Sequence, residues 1–191
     1  MKKRKKENKK KKENKTINFL KKTLMTILSA FFLLIFLNLF YLMMIYIFPI
    51  NISEIPADMQ LTVNNIVKES SSNLEILQRS FGFVDNRYTS TRLAYLWWPE
   101  KLVERNLTEI WNDIGYQHCY SQTAVLKAML LASGHFSSDD IKEFNLISYF
   151  PHQILKVKVD GEWINADPWG ADHEIKLNEY YYPFILFSFF K

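Results

Sequence analysis

One thiol, one imidazole and one carboxylate in this chain are spaced like the working parts of a nucleophilic enzyme. Cys119, the single cysteine, opens the stretch Cys119-Tyr-Ser-Gln-Thr-Ala-Val-Leu-Lys-Ala-Met-Leu-Leu-Ala-Ser-Gly134, whose pattern predicts a helix closed by Gly134. His152 stands near the start of a predicted strand, and Asp167 ends the next one, just before Pro168. A thiol attacks as its thiolate, whose pKa of about 8.5 falls at a helix N-terminus or beside an imidazolium. The N–H groups of a first helical turn favour an anion. They can also stabilise the oxyanion of a tetrahedral intermediate, typically by about 3 kcal/mol per donor. In such a site His152 would take the thiol proton and return it to a leaving group. Asp167 would hold the imidazole in the right tautomer.

The elements that must bring these groups together are a helix and a hairpin. Ile154-Leu-Lys-Val-Lys-Val159 alternates apolar and polar residues, Asp160-Gly161 signals a two-residue turn, and Glu162-Trp-Ile-Asn-Ala166 runs back. That turn pairs Val159 with Glu162, Ile154 with Asp167 and His152 with Trp169. His152 and Asp167 then become diagonal neighbours on one face. A slip of one residue in either strand separates them.

Other residues compete for these roles. His118 adjoins Cys119 in the chain, so its side chain diverges; His135 follows the helix at its far end; His173 lies in a polar turn beside Asp172 and Glu174. Cys119 has the alternative of a small buried core residue, and Asp167 that of a turn cap before Pro168. Trp163 reads as core. Trp97, Trp98 and Trp111 are upstream aromatics, any one of which is placed to offer an indole N–H to an oxyanion site.

The stretch Gly115-Tyr-Gln-His-Cys119 through Gly134, followed by His152 through Asp167-Pro168, resembles the core of the transglutaminase-like superfamily over roughly residues 95 to 170. The resemblance implies a papain-like/transglutaminase-like core of α+β class, with the nucleophile helix packed on an antiparallel sheet. It implies Cys119, His152 and Asp167 as the catalytic residues, with no cofactor and no metal. The Cys119 thiolate would attack a carboxamide or peptide carbonyl, form a thioester and release ammonia or an amine. Water would complete hydrolysis, and an incoming amine would complete acyl transfer. Two features depart from the commonest family pattern. His135-Phe-Ser-Ser-Asp-Asp140 stands where many members carry an Arg, and Trp169 follows Asp-Pro where a Thr or another small residue is frequent. A papain-like endopeptidase and a noncatalytic membrane-tethered binding or scaffold domain are the alternative readings. No HExxH is present, and Asp139-Asp140 is too sparse for a calcium loop.

Charge divides the chain. Residues 1–22 carry twelve Lys or Arg against Glu7 and Glu13, or +10, whereas residues 51–191 sum to −6. Between them Leu24 to Phe48 gives 25 residues without a charge, longer at about 1.5 Å per residue than the roughly 30 Å hydrocarbon core of a bilayer. This predicts a single-pass membrane helix; in the domain beyond it, a helix first and antiparallel strands later indicate α+β. The apolar run is too long for a cleaved signal peptide, and Phe48-Pro-Ile-Asn-Ile-Ser lacks a small-x-small site. The positive-inside rule keeps the basic tail cytoplasmic and sends the acidic part outside. Beside a membrane span the Lys-rich tail reads as contacting anionic headgroups rather than nucleic acid, and its composition predicts disorder.

The expected organisation is a basic cytoplasmic tail over 1–22, a transmembrane helix over 23–48, a stalk over 49–75 and a transglutaminase-like domain over 76–191. The abundance of Lys, Asn and Ile fits a low-GC bacterium, hence the bacterial cytoplasmic membrane and a cell-envelope protein or peptide as substrate. One unpaired thiol outside the cytoplasm fits function better than a disulfide framework. The aromatic C-terminus from Tyr180 reads as a last strand packed on the sheet, with contact at a membrane surface as the alternative.

Overall fold

The computed structural model describes residues 2–90, 101, 103, 104, 106–147, 151–171, 174–180 and 187–190. The chain forms two compact units, Met1–Tyr41 and Leu42–Lys191.

The first unit lies within one long helix, α1 (Lys2–Ile47). Its segment Lys15–Leu37 is long and apolar enough to cross a membrane, and none of that surface is covered by protein. Two hydroxyls in this region are satisfied inside the helix: Thr23 Oγ1 donates to Phe19 O at 3.1 Å and Thr26 Oγ1 to Lys22 O at 3.0 Å. Such back-bonding suits a polar side chain in a setting without water. The basic tail, for which disorder was the expectation, has helical backbone from Lys2 onward. Lysine is a good helix former, and extending an existing helix avoids the cost of a new nucleus.

The second unit is α+β. Two helices, α2 (Ala57–Glu69) and α3 (Asn73–Arg87), are followed by the short strand β1 (Tyr88–Thr89), helix α4 (Leu107–Asn112) and strand β2 (Gly115–Tyr116). Helix α5 (Cys119–Ala132) then leads through a 3-10 turn at Ser138–Asp140 into strands β3 (Ile141–Ile147), β4 (Pro151–Val159) and β5 (Glu162–Ala166). A four-residue helix, α6 (Pro168–Ala171), and a strand, β6 (Phe187–Phe190), complete the described elements. The larger sheet is antiparallel in the order β5-β4-β3-β6, and β1 pairs β2 in parallel.

Helix α5 is the centre of this unit. Val125, Leu126, Ala128, Met129 and Leu130 are all fully buried, as expected of a helix that is apolar nearly all round. It contacts α2, α3, α4, α6 and β4. Two polar ties join it to the sheet: Lys127 Nζ to Glu143 Oε1 at 2.7 Å, and Thr123 Oγ1 donating to Gln153 O at 3.2 Å. It ends where Gly134, at φ +73°, enters the left-handed region, its N–H donating to Leu131 O.

Residues 57–69 lie in the stretch read as stalk, yet α2 buries Met59 and Val63 and packs on α5. Two apolar residues one turn apart are enough to seat a polar helix when a partner face is waiting, and that face is remote in sequence. Of the aromatic C-terminus, residues 187–190 form β6 against β3, and 181–186 are outside the described residues.

Candidate active site

The hairpin that carries two of the three reactive groups pairs as its turn dictates. Val159 faces Glu162 and Leu155 faces Ala166 across β4 and β5. Asp160 and Gly161 take φ of +52° and +92°, the double left-handed geometry of an Asp-Gly turn. The same register carries His152, at the start of β4, and Asp167, one residue past β5, to one end of the sheet.

There they meet. His152 Nε2 donates to Asp167 Oδ2 at 2.8 Å, with His152 3% exposed and Asp167 fully buried. Cys119, the first residue of α5, interacts with the same imidazole. With Nε2 taken by the carboxylate, Nδ1 is the other ring nitrogen. Burial alone would push the imidazole toward its neutral form. The adjacent Asp167 charge and hydrogen bond outweigh it, Cys119 adds to them, and the His152 pKa is raised to about 10. A ring protonated at neutral pH favours a thiolate beside it, since each charge stabilises the other. The indole of Trp169 lies against the imidazole, ring centroids 5.3 Å apart and tilted by 58°.

Asp167 is held from below as well. Its Oδ1 accepts the N–H of Gly170 at 3.0 Å, and its backbone carbonyl accepts the same N–H at 3.1 Å. Sequence reasoning passed over Gly170, because nothing in the string Asp-Pro-Trp-Gly says that the fourth residue folds back on the first. It also passed over Gln122, one turn above Cys119 on α5. The Gln122 Nε2 group donates to Gln117 O at 3.0 Å and to Ser90 Oγ at 3.2 Å, all of it buried. This bond ties the chain entering the helix to the helix itself and so fixes where Cys119 starts. A long amide side chain three positions after Cys119, on a helix that is mostly apolar, was the available signal.

The competing residues lie elsewhere or do other work. His118 occupies the N-cap of α5 in extended backbone, without a side-chain cap, and its Nε2 meets Tyr116 Oη at 3.1 Å. His135 Nδ1 meets Asn73 Oδ1 at 3.1 Å on the surface. His173, Trp97 and Trp98 lie outside the described residues. Trp111, entertained above as an oxyanion donor, is committed to structure. Its Nε1 donates to Asp58 Oδ2 at 2.6 Å, which holds that carboxyl below its ordinary pKa, while Arg87 sits 4.1 Å above the indole and Phe83 stacks on it at 5.5 Å. The indole therefore pins α2, α3 and α4 together. Asn106 uses its side-chain oxygen to cap α4 at Thr108 N. Among the described residues no three His, Cys, Asp or Glu side chains gather as for a metal ion.

No protein-family model matches this chain, and no curated protein matches it. Among solved structures, one described as a candidate protease from Parabacteroides distasonis matches with a TM-score of 0.41 and 13% sequence identity. That match covers 57% of this chain and 22% of the other.

Proposed function

We propose that this chain is a membrane-anchored cysteine enzyme of transglutaminase-like type that acts on amide bonds. The observation that carries the reading is one buried imidazole interacting with both a thiol and a carboxylate, Cys119 to His152 to Asp167. An imidazole shared in this way, beside a thiol at the start of a helix, is a device for making and discharging a thiolate.

The Cys119 thiolate attacks the carbonyl carbon of a carboxamide or peptide bond, forming a C–S bond and an oxyanion next to the α5 N-terminus. As the oxyanion collapses the C–N bond breaks, and the imidazolium of His152 delivers its proton to the departing ammonia or amine. A thioester and a neutral imidazole remain. Water or an amine then attacks the thioester, His152 accepts the proton, the C–S bond breaks and the thiolate returns. Throughout, Asp167 keeps Nε2 occupied, so that Nδ1 alone moves the proton. Trp169, lying on the imidazole, shields the ring from water and bounds the space for the acceptor. Substrates are proteins or peptides, with those of the cell envelope the natural candidates for a domain held at a membrane.

On this reading residues 23–48 anchor the chain, 1–22 stay on the cytoplasmic side among anionic headgroups, and the catalytic unit lies outside. The test uses the full chain in detergent micelles, mixed with peptides bearing glutamine side chains and with hydroxylamine as acceptor. A hydroxamate product is expected, falling by about 10⁴-fold or more in Cys119→Ala. Product formation that Cys119→Ala leaves intact would refute the assignment. Unreactive carboxamides and peptide bonds alike would leave a noncatalytic binding domain.

A further inference from the structure

The carboxylate of Asp167 must present Oδ2 to His152 from inside the protein, and Gly170 packs directly against it. A Cβ built on Gly170 would stand 2.7 Å from Asp167 Oδ2 and 3.0 Å from its Cγ, with Ile175 Cβ at 3.2 Å. Oδ2 is the very oxygen that His152 uses, while the Gly170 N–H holds Oδ1. The backbone of Gly170 lies outside the left-handed region, so torsion does not demand a glycine here. Space does. The crowded atom is also the end of a short, buried side chain that cannot swing away without leaving His152.

We infer that Gly170 is the positioning residue for Asp167, its N–H fixing one carboxylate oxygen and its missing side chain admitting the other to the imidazole. This rests on the Cys119–His152–Asp167 reading of the site and adds the element that sets its geometry. It gives α6 a reason to exist: four residues turn the chain so that residue 170 folds under residue 167. It also separates two roles that a glycine can have. In a helix whose torsions alanine can adopt, a glycine of no special purpose is ordinarily improved by alanine. Gly170→Ala should instead push Oδ2 off the imidazole.

The experiment follows the His152 ring by NMR in the full chain in detergent micelles, with labelled histidine. The chain has four histidines, and the His152 resonance is assigned by its loss in His152→Ala. In Gly170→Ala the His152 titration midpoint is expected to fall by at least about one pH unit toward the ordinary value near 6.5, while the other histidines keep theirs. A midpoint unchanged from wild type would overturn the inference. If Gly170→Ala does not fold, the double variant Asp167→Ala/Gly170→Ala decides, because the two carboxylate atoms nearest the new Cβ are then gone and only Ile175 Cβ, at 3.2 Å, remains. The inference expects the double variant to be as stable as Asp167→Ala alone. A double variant that again fails, with Asp167→Ala folded, would contradict it. This readout does not depend on reactivity at Cys119. A wild-type chain with an inert thiol would sink the enzyme reading and leave the Gly170 test to be judged on the ring alone.

Discussion

In His152→Ala, alkylation of Cys119 by iodoacetamide should move its half-maximal pH up to about 8.5 or above, the value of an unassisted thiol, from a wild-type midpoint below about 7.5. The shift arises because the imidazolium is the charge that stabilises the thiolate, and the substitution removes it. The helix N-terminus remains, but its effect acts against the burial of Cys119, which is only 5% exposed and which disfavours any anion. At pH 6 a thiol with a pKa near 8.5 is ionised in about 0.3% of molecules. Its greater intrinsic nucleophilicity recovers part of that deficit, so the rate at pH 6 should fall by about tenfold or more. Since Cys119 is the only cysteine, the label reports on one site. An unchanged profile in His152→Ala would show that the ring does not control the thiol.

Asp167→Ala should destabilise the protein by about 3–5 kcal/mol near pH 6, the range for removing one partner of a buried ion pair. The carboxylate is fully buried and the imidazole nearly so, and water cannot replace the lost partner. The loss should also depend on pH in a definite direction. His152 has a folded-state pKa of about 10, above the roughly 6.5 of an unfolded histidine. The pair's contribution is therefore fully present below about pH 6.5 and is lost as pH rises through 10. Urea denaturation of wild type and Asp167→Ala should accordingly show a gap at pH 6 that narrows on the way to pH 10. A gap that stays constant, or widens with pH, would mean that the imidazole is neutral in the native state.

Much of what positions the site was legible because it is local. The Asp160-Gly161 turn, the alternation through β4 and the return of β5 determine register within a dozen residues, and register alone decides that His152 and Asp167 share a face. Gly134 as the stop of α5 is equally local. What escaped notice depends on residues far apart in sequence. Trp111 reaches Asp58, and Tyr120 Oη accepts the N–H of Ile50 at 3.0 Å, in both cases across more than fifty residues. A polar string containing Met59 and Val63 reads as a stalk until α5 is seen to need cover on that side. Gly170 escaped for a different reason. Its importance lies in a side chain it does not have, measured against a carboxylate three residues earlier, and no periodicity or propensity registers that. The helical backbone of the basic tail shows the converse: composition indicated disorder, and continuity with an apolar helix prevailed.

The most direct test of an ion-paired Cys119 is the ultraviolet absorbance of its thiolate, taken as wild type minus Cys119→Ser from pH 4 to 10 on the full chain in detergent micelles. With His152 protonated up to about pH 10, the thiolate signal should already be present at pH 6 and should collapse there in His152→Ala. A wild-type signal that first appears near pH 8.5 or above would contradict the account, leaving Cys119 an ordinary buried thiol at the start of a helix.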